Sequence, residues 1–127
     1  MNIYGIGTDI VDIYRIKKSL KNKEFVNRIF NKKEILKCKK INNSINCYAK
    51  RFAAKEAFSK ALGTGISNGV NFKEIVILNK KSGKPYINII GQTKKTLSKR
   101  FKRKKSKISL SLSDEKKYAV AFVTISI

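Results

Sequence analysis

The sequence predicts an α+β fold: a single domain over residues 1–127, with a mainly antiparallel sheet packed against a long central helix. Three observations predict it. A short β-rich segment opens the chain, and a run free of Gly and Pro, rich in Ala, Phe and Lys, covers residues 46–62. Two strand–turn–strand patterns then follow, one before and one after a basic helical stretch. A chain of 127 residues is long enough for one domain that buries roughly two-thirds of its unfolded surface. No Pro/Gly/Ser linker divides it, and no solenoid-like repeat appears.

The elements follow in order. Residues 2–10 alternate weakly and give a first strand ending near Asp9. Val11, Ile13, Ile16 and Leu20 lie near helical spacing, so a helix is expected over 11–20. A helical turn follows at 25–30. Asn31-Lys32-Lys33-Glu34 opens a helix to about residue 40 in the manner of a capping box, with Asn in place of Ser or Thr. Asn42-Asn43-Ser44 breaks the chain before the long helix, which Gly63 stops. Gly63-Thr64-Gly65 and Asn68-Gly69 form a flexible connection. Strands are expected at 72–78 and 86–90 around Asn79-Lys80-Lys81-Ser82-Gly83, with Pro85 at the edge. A basic helix at 93–101 precedes strands at 108–112 and 118–125, which flank Ser113-Asp114-Glu115-Lys116.

Composition narrows the function. No histidine is present, which excludes Cys–His nucleophiles and the usual histidine-containing zinc sites. Cys38 and Cys47 are expected as reduced thiols of a cytoplasmic protein. No signal-peptide pattern opens the chain, and no apolar run approaches the roughly 20 residues that span a bilayer. The net charge is +22, and lysine outnumbers arginine 25 to 5. Compositional drift on a solvated surface accounts for such a bias, and so does an anionic partner; charge alone does not choose.

Only eight acids occur, so their placement is informative. Asp9 ends the first strand with the parity of Gly5 and Gly7, glycines that permit close approach of a backbone or ligand. It reads either as a helix N-cap for the segment from Val11 or as a ligand. On the long helix Ala49, Phe52, Ala53, Glu56 and Lys60 share one face at 100° per residue. That face is predicted to be largely buried, where an acid and an ammonium must be paired or hold a metal or ligand. An ordinary i,i+4 ion pair is the plainer alternative, worth about 0.2–0.5 kcal/mol. Gly63-Thr64-Gly65 follows a helix rather than preceding one, which excludes the P-loop and dinucleotide fingerprints. The residues alone reach a basic α+β domain with two carboxylates suited to a hard cation, since Mg²⁺ is commonly held by one or two carboxylates plus substrate phosphates.

Several separated motifs resemble the holo-[acyl-carrier-protein] synthase family of 4′-phosphopantetheinyl transferases. Ile3-Tyr4-Gly5-Ile6-Gly7-Thr8-Asp9-Ile10-Val11 is similar to its N-terminal signature. Arg51-Phe52-Ala53-Ala54-Lys55-Glu56-Ala57-Phe58-Ser59-Lys60-Ala61-Leu62-Gly63-Thr64-Gly65-Ile66 is similar to its central motif over sixteen positions, and blocks around Ser82-Gly83-Lys84-Pro85 and Ser111-Leu112-Ser113 match later ones. The resemblance implies the 4′-phosphopantetheinyl transferase fold. It also implies transfer of 4′-phosphopantetheine from coenzyme A to a serine of acyl carrier protein, releasing 3′,5′-ADP, for fatty acid biosynthesis.

By the same resemblance Asp9 and Glu56 would carry Mg²⁺, and Lys60 would contact the pyrophosphate. Gly63, Thr64 and Gly65 would lie against coenzyme A, and Arg51 is a further candidate contact. Arg15, Lys18, Lys21 and Arg28 would dock the acidic carrier protein. Family members are homotrimers with active sites between subunits. Many carry histidine where this chain has Asp114, so a role for that imidazole does not transfer.

Two rival readings remain. Residues 94–107 hold nine basic residues and no acid, which suits a nucleic-acid-binding protein. Only Phe101 supplies an aromatic there, and no helix-turn-helix, RNP or KH signature appears, so no specific nucleic-acid partner is expected. A non-catalytic carrier-binding scaffold would have no need of Asp9, Glu56 and Lys60 together.

Overall fold

The structure, a computed structural model, describes residues 1–65 and 69–127. Asn68 of the expected flexible connection and Ile66 at the end of the central motif lie outside the described residues. Strand β1 (Ile3–Asp12) runs into α1 (Ile13–Ser19), followed by α2 (Lys23–Ile29), α3 (Lys32–Lys39) and the long α4 (Ser44–Leu62). A 3₁₀ turn (Phe72–Glu74) leads into β2 (Ile75–Asn79) and β3 (Pro85–Ile89), then α5 (Gly91–Arg100), β4 (Lys107–Asp114) and β5 (Tyr118–Ser126).

The β strands form two antiparallel sheets rather than one. The larger has the order β1-β5-β4, and β2 pairs with β3 in the smaller. In the larger sheet side chains alternate as the pleat requires. Gly7, Asp9 and Val11 face inward opposite Val123, Ala121 and Ala119, while Ile6, Thr8 and Ile10 face outward opposite Thr124, Phe122 and Val120. On β4 the inward Ile108, Leu110 and Leu112 alternate with outward Ser109, Ser111 and Ser113.

Helix α4 lies across the inner face of β1 and β5. Ala49, Ala53, Ala54, Ala57 and Phe58 are completely buried, which explains an element apolar around most of its circumference. The two glycines of β1 make this contact possible. A β-carbon on Gly5 would run into the carbonyl oxygen of Ala61, and one on Gly7 into that of Ala57. Backbone meets backbone here.

Fully buried Glu34 and Lys55 join three elements. Lys55 Nζ donates to Glu34 Oε1 at 2.8 Å and to the carbonyls of Phe72 and Ile75 at 2.7 and 2.6 Å, so all three of its protons are placed. Glu34 Oε2 accepts from Ile77 N at 3.0 Å. Burial pulls the Lys55 ammonium down to about 8; the Glu34 carboxylate opposes that shift and Arg51 adds to it.

Five sequence expectations are corrected. The helix N-cap at the end of β1 is Asp12, whose carboxylate accepts from Arg15 N at 3.2 Å, and not Asp9. The strand runs three residues further than expected, so Asp9 stays within the ladder. The segment expected as strand from residue 72 begins with the 3₁₀ turn, because Asn71 caps it by accepting from Lys73 N. Lys60, expected on a buried face, is exposed at the far end of α4. Finally, Cys38 and Cys47 are joined in a disulfide. The turn after α3 returns the chain along α4 and brings their Cα atoms to 5.4 Å, inside the range a disulfide spans.

Candidate active site

Asp9 faces inward beside small Ala121, and the close β1–α4 crossing lays the last turns of α4 directly over it. Lys60 Nζ donates to Asp9 Oδ1 at 3.1 Å and to the Thr8 carbonyl at 3.0 Å. The i,i+4 ion pair with Glu56 does not form, because Lys60 turns to β1 instead. Asp9 and Glu56 line one cavity of about 390 Å³ together with Asp12, Arg15, Ser19, Phe25 and Phe52. Burial raises the Glu56 pKa and the Asp9 carboxylate raises it further, while Lys60 acts against both.

This arrangement fits a divalent cation. Two carboxylates face one open cavity, and burial first and the Asp9 charge second disfavour ionisation of Glu56, a cost that a bound cation relieves. Among the described residues no cluster of three or more potential metal-ligating side chains occurs. That donor set suits Mg²⁺, which keeps open positions for substrate phosphates and water, better than a closed structural metal.

Two further cavities are relevant, of which the first adjoins it. One of about 490 Å³ shares Phe25, Phe52 and Glu56, continues along Ile29, Val70 and Phe72, and has Arg28 among its lining residues. The other, of about 360 Å³, is basic, with Lys37, Lys50, Arg51, Lys80 and Lys81 around Asn46 and Asn79. Arg51 is buried there. Its Nη2 donates to Asn79 Oδ1 at 2.8 Å and its Nη1 to Cys47 Sγ at 3.2 Å, whereas Nε has no partner. Burial lowers the Arg51 pKa, opposed by Glu34. Asp114 reaches the same cavity, accepting from Asn46 Nδ2 at 2.7 Å and pairing with Lys50 at 3.5 Å.

The structure therefore brings Asp9, Glu56 and Lys60 together and sets Arg15 on the same cavity. Arg51 lies twelve residues before Gly63 on the same helix, about 18 Å along its axis. Gly63 caps α4 in the left-handed conformation, with φ of +83°. Thr64 Oγ1 accepts from Arg100 Nη1 at 2.9 Å. Lys18, Lys21 and Arg28 are exposed on or beside α1 and α2, and Lys18 Nζ sits 4.8 Å from the Tyr14 ring centroid. Sequence reasoning missed Asn46, Lys50, Asn79 and Arg100 as site neighbours. Asn79 stood within the quoted hairpin turn, but nothing local marks the others.

The chain that adopts this fold matches a known family. Residues 5–123 fit the family model described as the 4′-phosphopantetheinyl transferase superfamily, and the chain belongs to it. Within that superfamily it is a member of the holo-[acyl-carrier-protein] synthase family. A holo-[acyl-carrier-protein] synthase of Pelagibacter ubique is 54% identical over 125 residues, covering 98% of each chain. One from Wolbachia pipientis is 48% identical over 130 residues with the same coverage. Among solved structures, the enzyme from Neisseria meningitidis superposes with a TM-score of 0.89 at 42% identity, covering 98% of this chain and 99% of that one. The Bacillus anthracis enzyme in complex with coenzyme A (3′,5′-ADP) gives 0.80 at 36% identity, covering 98% and 97%.

Proposed function

We propose that this protein transfers the 4′-phosphopantetheine group of coenzyme A to a serine hydroxyl of an acyl carrier protein. The observation that carries the reading is the convergence of Asp9, Glu56 and Lys60 at the β1–α4 crossing. In the reaction the serine oxygen forms a bond to the β-phosphorus of the pyrophosphate, and the bond to the bridging oxygen breaks. 3′,5′-ADP leaves, and the serine proton passes to a carboxylate or solvent in the cleft, since the chain has no histidine. Lys60 stabilises charge growing on the phosphoryl oxygens and on the leaving group. Asp9 and Glu56 would hold Mg²⁺, which when bound neutralises the pyrophosphate and makes the phosphorus easier to attack. Preorganised charge and positioning supply most of the rate in such reactions.

The remaining residues divide an elongated substrate between them. The basic cavity around Arg51, whose Nε lacks a partner, suits a phosphate of the nucleotide, and Gly63, Thr64 and Gly65 lie at the other end of α4. Arg15, Lys18, Lys21 and Arg28 present a basic face beside the cavity to an acidic carrier. Residues 1–127 act as one catalytic domain. The outward face of the larger sheet exposes Ile6, Ile10, Tyr118, Val120 and Phe122, a patch that supports assembly into a homotrimer. No described helix is long and apolar enough to cross a membrane, and a cytoplasmic place in fatty acid biosynthesis suits the reaction.

The test is the mass shift of purified apo carrier incubated with coenzyme A and Mg²⁺. The wild-type chain should add the phosphopantetheine mass, and Glu56→Gln should not, while keeping its circular dichroism. Near-normal transfer by Glu56→Gln removes that residue from the metal site, and no transfer by the wild type sinks the reading.

A further inference from the structure

Arg100 ends α5, and the next residue fixes where that end lies. Phe101 is buried and packs edge-on against Tyr4 of β1, ring centroids 4.9 Å apart. The chain beyond it closes on itself: Lys102 N and Arg103 N donate to the carbonyls of Lys99 and Ser98 at 3.0 and 2.8 Å, with left-handed φ of 53° and 60°. The backbone of this helix end is thus satisfied without the Arg100 side chain. The guanidinium instead crosses to Thr64, 36 positions earlier, and donates to its Oγ1 at 2.9 Å.

The segment it reaches is built on glycine, and its backbone is tied to α4 through Gly63 N, which donates to the Lys60 carbonyl at 3.0 Å. Gly63 and Gly65 flank Thr64 with φ of +83° and +67°, and among the described residues nothing lies within 4 Å of where a Gly63 β-carbon would stand. Glycines carry the greatest backbone freedom, so a turn built on two of them costs most to order when a ligand arrives. A hydrogen bond from a helix end anchored in the core reduces that cost in advance. It also leaves the other guanidinium donors beside the turn, one helical turn beyond the Lys60 that meets Asp9.

We infer that Arg100 is a positioning residue whose bond to Thr64 holds the Gly63-Thr64-Gly65 turn in the shape that receives the diphosphate of coenzyme A. This rests on the phosphopantetheinyl-transfer reading above. Steady-state kinetics of the full chain with Arg100→Ala, Arg100→Lys, Thr64→Val and the Arg100→Ala/Thr64→Val pair tests it. The KM for coenzyme A should rise roughly 5- to 30-fold in Arg100→Ala. The KM for carrier and kcat should change by no more than about 3-fold, and Arg100→Lys should fall between the two. Thr64→Val should raise the same KM, and the double variant should be little worse than either single one. Strictly additive effects, or a loss shared equally by kcat and both KM values, overturn the inference, as does an unchanged KM for coenzyme A in both single variants. A wild-type chain that modifies no carrier refutes the parent reading instead, so the two failures are distinguishable.

Discussion

Glu74 gathers three donors: Gln92 N and Thr93 N at 3.0 Å each, and the Thr93 hydroxyl at 2.8 Å. Ile90 provides no side-chain cap for α5, so this carboxylate from the 3₁₀ turn serves in its place. Slight burial pushes the Glu74 pKa up, but the hydrogen bonds from Thr93 and Gln92 outweigh it and the net shift is downward. A folded pKa below the unfolded one stabilises the fold above the unfolded value, and that contribution fades as pH falls through the folded value. Glu74→Gln should cost roughly 1 kcal/mol at neutral pH, and urea melts should show the gap to wild type shrinking as pH drops into the carboxylate range. Gly7 fails differently. Gly7→Ala drives a β-carbon into backbone that cannot rotate away, so about 3 kcal/mol or more should be lost in the same melts. The parity of Gly5, Gly7 and Asp9 was legible as a place of close approach, because period-2 alternation is local. Which aspartate capped α1 was not legible, since Asp9 and Asp12 both precede apolar periodicity and only the length of β1 separates them.

The capping box of α3 shows how far an element can be read. Asn31 Oδ1 accepts from Lys33 N and Glu34 Oε1 from Asn31 N, as the local spacing predicts. The same Glu34 is completely buried because its other partners, Lys55 and Ile77, stand 21 and 43 positions away, beyond any local pattern. Glu34→Ala would leave the buried Lys55 ammonium without its counter-charge, held only by the Phe72 and Ile75 carbonyls, and chemical denaturation should reveal a loss of about 3–5 kcal/mol. Replacing both partners, Glu34→Leu with Lys55→Met, should recover only part of that loss: no buried charge is left unpaired, but Ile77 N and the Phe72 and Ile75 carbonyls lose their partners. The Cys38–Cys47 bridge ties the same two helices a turn further on. Spacing of nine residues said nothing of it, since pairing depends on how α3 returns along α4.

Charge and shape set the behaviour of the whole molecule. With a net charge of +22, encounter with an acidic carrier should be faster at low salt by roughly 10-fold or more. A kcat/KM flat from low to physiological ionic strength would count against electrostatic steering. The exposed apolar face of the larger sheet bears on the proposed homotrimer: wild type should sediment as a trimer and Phe122→Asp as a smaller species, while far-ultraviolet dichroism stays near that of wild type. Much of the α+β architecture was readable because strands, turns and the long helix carry their own periodicities. The split into two sheets was not, since strand pairing is decided by tertiary packing. The crossing of β1 over α4 has one more implication. Asp9 and Glu56 are registered by main chain pressed against main chain, with no loop or hinge between the acids and the densest part of the interior. Catalytic competence and cooperative integrity should therefore vanish at one temperature on heating, with no window in which an intact protein has lost only its chemistry.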